Sequence, residues 1–299
     1  MTQQRNHNFT SPLRYPGGKG ALSNFMKLVI SQNNLLDGHY VELYAGGAGI
    51  AWGLLFEEYV QKVHINDLNK SIAAFWLSVL EETDDLCKLI TDTIVTAKEW
   101  HHQRDIQANP STYSRLELGF STFFLNRTNR SGILKGGMIG GKDQTGNWKI
   151  DARYNKLDLV QRIQRIARYS NRIGVYNMDA MQFIDSILPA LPHKTLVYLD
   201  PPYFNKGQEL YENHYTSEDH SNIASIISNI KQPWLVSYDA CPQIDLLYQS
   251  FYSLRYNISY SAQNRYDGSE VIFFSKKLIV PQVSSPTRIK LPMLMHPLF

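Results

Sequence analysis

The chain has 299 residues, of which 43% are apolar and 19% are charged. This balance excludes a disordered chain and is typical of one large globular domain, or of a domain with an insertion. No run reaches the roughly 18 uncharged apolar residues of a membrane helix, and the first residues lack an apolar signal segment. Two cysteines, Cys87 and Cys241, are too few for a disulfide framework or a zinc site. We therefore expect a cytoplasmic protein with no membrane association and no bound metal.

Positive charge is concentrated in the middle of the sequence. The whole chain carries a net charge of +3, whereas residues 98–172 hold fourteen Lys and Arg against six Asp and Glu. Such a segment favours contact with a polyanion. A solvated helix face rich in basic residues would give the same count. Charge alone leaves both interpretations open.

Short apolar segments alternate with helical ones along most of the chain. The predicted strands cover residues 39–44, 62–65, 173–176, 195–199, 234–237, 252–261 and 270–276. Alternating strands and helices predict an α/β fold, with a Rossmann-like, mostly parallel sheet covered by helices on both faces. The last two strands flank a turn-rich segment and predict an antiparallel C-terminal hairpin at one edge.

The alternation breaks between residues 75 and 170, where the sequence becomes helical and basic. Paired glycines and the turn-like Gln144-Thr145-Gly146-Asn147 predict a β-hairpin there. We therefore predict a discontinuous sheet domain of residues 1–74 and 171–280, and an inserted helical and β-hairpin domain of residues 75–170. Residues 281–299 are rich in proline and predict an extended tail.

The glycine-rich segment after the first strand has the features of a ligand-binding loop. Glu42 ends the strand, and Ala45-Gly46-Gly47-Ala48-Gly49 leads into a helix, so the backbone can approach a ligand at the helix N-terminus. Asp67 ends the second strand about twenty residues later, a spacing that suits a carboxylate on ribose hydroxyls. The pattern is not the GxGxxG of dinucleotide-binding enzymes. A tight strand-to-helix turn is the alternative.

A second motif, Asp200-Pro201-Pro202-Tyr203, directly follows the apolar strand at 195–199. Ligands of open α/β sheets bind at the carboxyl ends of parallel strands. The Asp200 carboxylate and the Pro201 carbonyl are two acceptors, and Tyr203 offers a flat ring. They suit an exocyclic amine on a planar base, which has two N–H donors and a face for stacking. An ordinary turn after a strand is the alternative.

Together these motifs resemble the Dam-type D12 class of DNA adenine-N6 methyltransferases, with the alpha order of motifs. The resemblance runs from about residue 11 to residue 277, and it also includes residues 124–133, 234–239 and 269–274. It depends on the Asp-Pro-Pro-Tyr motif, the loop at 42–49 and the N-terminal Arg14-Tyr15-Pro16-Gly17-Gly18-Lys19. These motifs follow one another in the family's order.

The resemblance implies a site-specific enzyme that methylates N6 of a flipped adenine in double-stranded DNA. S-adenosyl-L-methionine would be the cofactor and S-adenosyl-L-homocysteine the product, with residues 75–170 as the target-recognition domain. Asp200 and the carbonyl of Pro201 would bind the amine, Pro202 would keep the turn rigid, and Tyr203 would stack on the base. The cofactor residues so implied are Tyr15, Gly18, Lys19, Glu42, Tyr44, Gly46, Gly47, Gly49, Asp67, Asp179 and Asp200. Lys19 could equally be a surface lysine, and Asp179 could be a helix N-cap or serve both roles.

DNA contacts are expected in the segment between the glycine loop and the Asp-Pro-Pro-Tyr motif. The candidate residues are Arg127, Asn129, Arg130, Ser131 and Lys135. Family members that read GATC carry an aromatic residue and Asn where this chain has Arg130 and Ser131, and Arg in place of Lys135. Arg and Lys are not interchangeable in bidentate guanine contacts, so the resemblance does not extend to GATC recognition. Arg127 could instead be a buried arginine that anchors the hairpin.

Several alternatives remain. Cytosine-N4 enzymes usually carry Ser in place of Asp200, and the length and hairpin of the insert disfavour an RNA adenine methyltransferase. The intact motifs argue against a catalytically silent DNA-binding paralogue, and a dehydrogenase would leave the Asp-Pro-Pro-Tyr motif unexplained. We expect a monomer whose partner is double-stranded DNA, with a separately encoded restriction nuclease as a further candidate partner. Arg265 and Glu270, which flank the last turn, are interpreted as a hairpin salt bridge.

Overall fold

A seven-stranded sheet forms the centre of the protein in a computed structural model that describes residues 10–15, 19–204, 215–260 and 266–291. The strands are β1 (Gly38–Glu42), β2 (Val60–Asn66), β3 (Ile173–Tyr176), β4 (Thr195–Leu199), β5 (Trp234–Asp239), β6 (Tyr252–Tyr260) and β7 (Tyr266–Phe274). Their order across the sheet is β3-β2-β1-β4-β5-β7-β6. The first five pair in parallel, and β7 runs antiparallel to β5 and β6. The predicted mostly parallel sheet with an antiparallel C-terminal pair is confirmed.

Helices cover the sheet on both faces. The described α-helices are α1 (Ser23–Gln32), α2 (Gly49–Phe56), α3 (Lys70–Glu81), α4 (Thr83–Asp92), α5 (Ala97–Ala108), α6 (Arg115–Thr128), α7 (Lys156–Ala167), α8 (Ala180–Ser186), α9 (Ser217–Ser228) and α10 (Pro242–Leu247). Side-chain caps fix several of their first turns, and Ser114 and Thr216 form capping boxes with Glu117 and Asp219. Within the described ranges, none of these helices has the length and apolar character needed to cross a membrane.

Two hydrophobic clusters separate the helices into layers. Successive side chains of β1 point to opposite faces of the sheet. Tyr40 therefore packs in a first cluster with α1, α2, α3 and α6, and Val41 in a second cluster with α8, α9 and α10. The chain passes from β1 outward to β2 and β3, and from β4 outward to β5 on the other side. The carboxyl ends of β1 and β4 therefore meet where the winding reverses, which is where open α/β sheets bind ligands.

The residues of the predicted insert pack directly on the first face of the sheet. The predicted boundary at residue 75 falls inside α3, and Phe75 stacks on Phe123 of α6 with ring centroids 5.9 Å apart. Both rings belong to the same cluster as α1 and α2. The division of the chain into two domains therefore stays a prediction.

The predicted β-hairpin within residues 75–170 is wrong. Residues 129–155, all described, form turns and a 3-10 helix (Arg130–Gly132), with one isolated bridge between Asn129 and Met138. Gly132, Gly140 and Gly141 adopt φ of 77°, 86° and 79°. These closely spaced left-handed residues turn the chain repeatedly, so no segment stays extended long enough to pair as a β-strand.

The C-terminal residues that the structure describes run along α1 without a helix or strand. Asn24 Nδ2 donates to the carbonyl of Ile289 at 2.8 Å, and Val283 packs against the first cluster. Residues 281–291 form turns and irregular structure, residues 292–299 lie outside the described part, and the extended tail stays a prediction.

Candidate active site

A row of polar side chains on the first face of the sheet lies level with the carboxyl ends of the parallel strands β1, β4 and β5. Its members are Glu42 on β1, Tyr198 on β4, Asp200 directly after β4, Ser237 on β5, Glu270 on β7 and Tyr256 on β6. Register places Glu42 opposite Tyr198, and Tyr256 opposite Glu270. The row crosses the switch point between β1 and β4, so the sheet itself assembles the site.

Lys19 enters this row from the 3-10 helix Lys19–Leu22. Its Nζ lies 3.0 Å and 3.1 Å from the two oxygens of Asp200, 2.8 Å from the hydroxyl of Tyr203 and 3.4 Å from Oε1 of Glu270. Burial lowers the pKa of a lysine, but the carboxylates of Asp200 and Glu270 outweigh it and raise the pKa of Lys19 well above its usual value. Lys19 is therefore a buried cation, and the surface-lysine alternative is wrong.

Asp200 is held in place by its neighbours before any substrate arrives. Ser237 donates to its Oδ1 at 2.6 Å, and the hydroxyl of Tyr198 lies 2.7 Å from that of Ser237. Burial raises the pKa of Asp200, and the nearby Lys19 cation opposes this effect. The Asp200 side chain keeps 17% of its surface exposed, so it remains open to a substrate.

Tyr203 is buried, although its ring was expected to stack on the target base. Its exposed fraction is 2%, and its hydroxyl donates to Glu270 Oε1 at 2.6 Å and accepts from Lys19. The ammonium of Lys19 lies 5.0 Å from its ring centroid. Stacking stays a prediction, and it requires that a face of this ring be uncovered. Pro201 and Pro202 beside it are also buried.

Glu270 is a site residue that the sequence interpretation missed. It is completely buried, and the hydroxyls of Tyr203 and Tyr256 donate to its two oxygens. Arg265, its expected partner in a hairpin salt bridge, lies outside the described residues, so that salt bridge stays a prediction. A charged residue directly before the apolar run 271–274 is the signal that could have revealed it.

The glycine loop after β1 is a rigid turn. Gly46 and Ala48 adopt φ of 45° and 49°, and the indole N–H groups of Trp76 and Trp52 bind the carbonyls of Gly46 and Gly47 at 2.9 Å and 3.1 Å. A Cβ on Gly46 would lie 2.8 Å from the Tyr15 ring. Glycine at this position thus allows Tyr15 to close over the loop.

Residues 10–15 connect this loop to the insert. The backbone of Arg14 donates to Asn126 Oδ1 at 2.7 Å and accepts from Asn126 Nδ2 at 2.6 Å. Arg127 Nε donates to the carbonyl of Pro12 at 2.7 Å. Tyr15, which follows Arg14, is 37% exposed and covers Gly46. Gly18 lies outside the described residues.

Two further carboxylates flank the loop. Asp67 accepts the backbone N–H groups of Gly46 and Asn69 at 2.9 Å each, and burial raises its pKa to about 6 against the effect of these bonds. Glu42 is 6% exposed and accepts from the backbone N–H of Ala51 at 3.3 Å. Burial raises the pKa of Glu42 to about 8, so it is mostly protonated at neutral pH.

The remaining expected cofactor residues lie around the same edge. Asp179 caps α8 by accepting from the backbone N–H of Met181 at 2.8 Å, which confirms its N-cap interpretation. Tyr44 follows β1, and its hydroxyl lies 2.8 Å from that of Tyr215. Gly49 starts α2, where an added Cβ would lie 3.5 Å from the Cα of Gly20.

Of the expected DNA contacts, two are buried and serve the protein itself. Arg127 is 8% exposed, so the structure favours its anchoring interpretation, and burial with nearby Arg162 lowers its pKa to about 9. Asn129 is fully buried, and its side chain bonds Trp100 Nε1 and the carbonyls of Ile133 and Leu134. Neither can reach a base edge without rearrangement.

The other three expected contacts are at least partly exposed, and one of them lines two surface grooves. Arg130 and Lys135 are exposed, and Ser131 is half-buried with φ of 56°. Arg130 lines both grooves, of about 220 and 460 Å³, and Trp148, which lines the larger one, is 68% exposed. Of the five candidates, these three are placed to meet an external partner.

Comparisons with known proteins identify the family. The model of the D12 class N6 adenine-specific DNA methyltransferase family matches residues 15–264. No curated protein matches the chain.

Solved structures give only distant similarities. A candidate RNA methyltransferase from Pyrococcus horikoshii is 12% identical, with a TM-score of 0.44 over 89% of this chain and 86% of that one. A dimethyladenosine transferase from Plasmodium falciparum is 10% identical, with a TM-score of 0.33 over 89% and 63%. A precorrin-6y C5,15-methyltransferase from Geobacter metallireducens is 8% identical, with a TM-score of 0.34 over 83% of this chain and 86% of that one. None of these scores reaches 0.5, so the family match decides: the chain belongs to the D12 class N6 adenine-specific DNA methyltransferase family.

Proposed function

We propose that the protein transfers a methyl group from S-adenosyl-L-methionine to N6 of adenine in double-stranded DNA, as a Dam-type enzyme. The observation that carries this proposal is Asp200, a carboxylate fixed by Ser237 and Lys19 at the end of β4 beside the glycine loop. The family match supports adenine N6 as the acceptor.

The residues around the loop fit this cofactor, which supplies an electrophilic methyl group on a sulfonium cation. Glu42, Asp67 and Asp200 bring three carboxyl groups to one edge of the sheet, which suits a cationic nucleoside. The buried hydroxyl of Tyr40 has no hydrogen-bond partner among the described residues, so it is available to a ligand. We assign Glu42 with the loop to the methionine part and Asp67 to the ribose.

Three other residues would complete the cofactor pocket. Tyr15 and Tyr44 would line it, and Asp179 would contact the adenine ring. Lys19 was expected at the charged end of the cofactor. Its ammonium instead points to Asp200, Tyr203 and Glu270, which favours a role on the side of the target base.

Asp200 would act on the target amine directly. The lone pair of adenine N6 is delocalised into the ring, which makes the nitrogen a poor nucleophile. Hydrogen bonds from N6 to Asp200 and to the carbonyl of Pro201 favour a pyramidal nitrogen with a localised lone pair. The new N–C bond then forms as the S–C bond breaks, and the enzyme supplies orientation and electrostatics. The Asp200 carboxylate is the nearest acceptor for the proton that N6 loses.

DNA would lie across the insert. The base must leave the duplex to reach Asp200, and the basic residues of 98–172 supply phosphate contacts that hold the duplex. Arg130, which lines the two grooves, and the neighbouring Ser131 and Lys135 are our candidates for contacts that read base edges.

The test compares the wild type with Asp200→Ala in a host that lacks adenine methylation. We expect single-molecule sequencing to find N6-methyladenine at one short motif in DNA from wild-type cells and none with the variant. The purified variant should still bind S-adenosyl-L-methionine, because the loop is intact. Asp185→Ala, which changes an exposed aspartate on α8, is the matched control and should methylate normally.

Other outcomes separate the alternatives. Methylation by Asp200→Ala would refute the assignment. A wild type that leaves DNA unmarked but binds the cofactor and methylates RNA would be an RNA enzyme. A wild type that binds DNA but neither binds the cofactor nor methylates would be a silent paralogue.

A further inference from the structure

Glu270 is a buried acid that the proposed reaction does not use. Both of its oxygens accept tyrosine hydroxyls, from Tyr203 and Tyr256, and Lys19 lies 3.4 Å from Oε1. A fully buried carboxylate is costly unless it is paired and hydrogen-bonded. Two hydroxyls and a cation offset that cost here, so β7 carries a defined negative charge beside Asp200.

Lys19 is shared between this carboxylate and Asp200. Its ammonium has three donors, and Asp200, Tyr203 and Glu270 are among its partners. The nearest oxygens of Asp200 and Glu270 lie 3.0 Å and 3.4 Å away. Both carboxylates therefore lie within reach of the same ammonium group.

The target amine competes with Lys19 for the same acceptor. Oδ1 of Asp200 accepts from Ser237 and Lys19, and Oδ2 also accepts from Lys19. A carboxylate bound to a cation has less negative charge to offer an amine. Asp200 thus binds the amine best when Lys19 is held elsewhere.

We propose that Glu270 is a positioning residue that accepts Lys19 when the target amine binds Asp200. In the free protein Lys19 pairs mainly with Asp200, and during the reaction it pairs with Glu270 and Tyr203. The proposal rests on the proposed function. It differs from a purely structural role, in which Glu270 only joins the β6–β7 hairpin to Tyr203.

The first experiment measures binding without cofactor, in the full-length protein. Two duplexes carry the methylation motif, one with adenine at the target position and one with purine, which lacks the 6-amino group. We expect the wild type to prefer the adenine duplex several-fold and Glu270→Gln to lose most of this preference. A purely structural role predicts the same preference in both proteins.

The second experiment measures single-turnover methylation against pH. Burial and the charge of Glu270 both raise the pKa of Asp200, so Glu270→Gln should move the acidic limb of the profile to lower pH. The plateau rate should fall at least tenfold, because Lys19 stays on Asp200. Glu270→Asp, which restores the charge, should recover part of the rate and the position of the limb.

Controls separate this inference from the proposed function and from misfolding. Glu218→Gln changes an exposed acid on α9 and should match the wild type. Tyr256→Phe loosens the hairpin but keeps the charge, so it should lower the thermal midpoint without moving the acidic limb. A methylating wild type with an unchanged Glu270→Gln profile would overturn the inference alone. An inactive wild type would overturn the proposed function.

Discussion

Burial and a few fixed partners set the charge of individual residues in the site. Glu42 and Asp67 stand at the ends of neighbouring strands, yet their pKa values differ, at about 8 and about 6. Asp67 is ionised more readily because two backbone N–H groups donate to it, whereas Glu42 receives one longer bond. Of these two carboxyl groups, Glu42 is therefore mostly protonated and Asp67 mostly ionised at neutral pH.

We expect S-adenosyl-L-methionine to bind more tightly as pH rises from about 6.5 to about 8. Glu42 must ionise to face a cationic ligand, so binding below pH 8 releases a proton. The affinity gains at most tenfold per pH unit and levels off above the pKa of Glu42. Isothermal titration calorimetry in two buffers of different ionisation enthalpy measures both the affinity and the proton released.

Glu42→Gln is the control for this linkage. It removes the titrating group and keeps the shape, so its affinity should be weaker and much less dependent on pH in that range. A wild-type affinity that stays constant between pH 6.5 and 8 contradicts the raised pKa of Glu42.

The positions of site residues were predictable where one motif contains the whole arrangement. Glu42 ends an apolar strand and Asp200 follows one, so their position alone indicates a site at the sheet edge. Glu270 and Lys19 were not predictable in the same way, because their environment depends on packing between segments about 250 residues apart. Tyr203 shows the limit of a motif, since its sequence position does not reveal that its ring is buried.

At the scale of elements, the contact between α3 and α6 depends on Gly119. A Cβ added there would lie 2.8 Å from Ser78 Oγ and 2.9 Å from the carbonyl of Ala74. Alanine gains about 1 kcal/mol of helix propensity over glycine, but overpacking against backbone costs roughly 1–3 kcal/mol. We expect Gly119→Ala to destabilise the protein by about 1 kcal/mol, as measured by urea denaturation.

Gly137→Ala provides the comparison for this prediction. The Cβ would meet nothing within 4 Å, so the free energy of unfolding should change by less than about 0.5 kcal/mol. If Gly119→Ala were as stable as the wild type, the two helices would have room that the structure does not show.

Strand boundaries were predictable where turn residues and burial change together. The predicted strands 173–176 and 195–199 coincide with β3 and β4. β7 begins at Tyr266, four residues before the predicted start, because residues 266–269 pair with β6 in the sheet. The β-hairpin expected near residue 144 does not form, because its turn residues are not flanked by two strands that pair.

At the scale of the whole molecule, one hydrophobic cluster joins the sheet to the helices of residues 75–170. Trp52 of α2 and Trp76 of α3 lie with ring centroids 4.9 Å apart, and the cluster extends to Phe123 and Ile163. The alternation of strands and helices predicted the fold class. It could not predict this shared core, because the core depends on contacts between segments distant in sequence.

We expect the protein to unfold in a single transition. Because the insert and the sheet share one core, neither can lose its packing alone. Guanidinium denaturation followed by far-ultraviolet circular dichroism and by tryptophan fluorescence should give coincident curves. Two separate midpoints would show instead that residues 75–170 form an independent domain.

Residues 10–15 contact both the insert and the glycine loop, and this connection has a thermodynamic consequence. Asn126 and Arg127, at the end of α6, bind the backbone of this segment, and its Tyr15 ring lies against Gly46. Through this short segment, a partner that binds the insert can change the free energy of ligand binding at the glycine loop. Each ligand must then change the affinity of the other by the same factor, whichever arrives first.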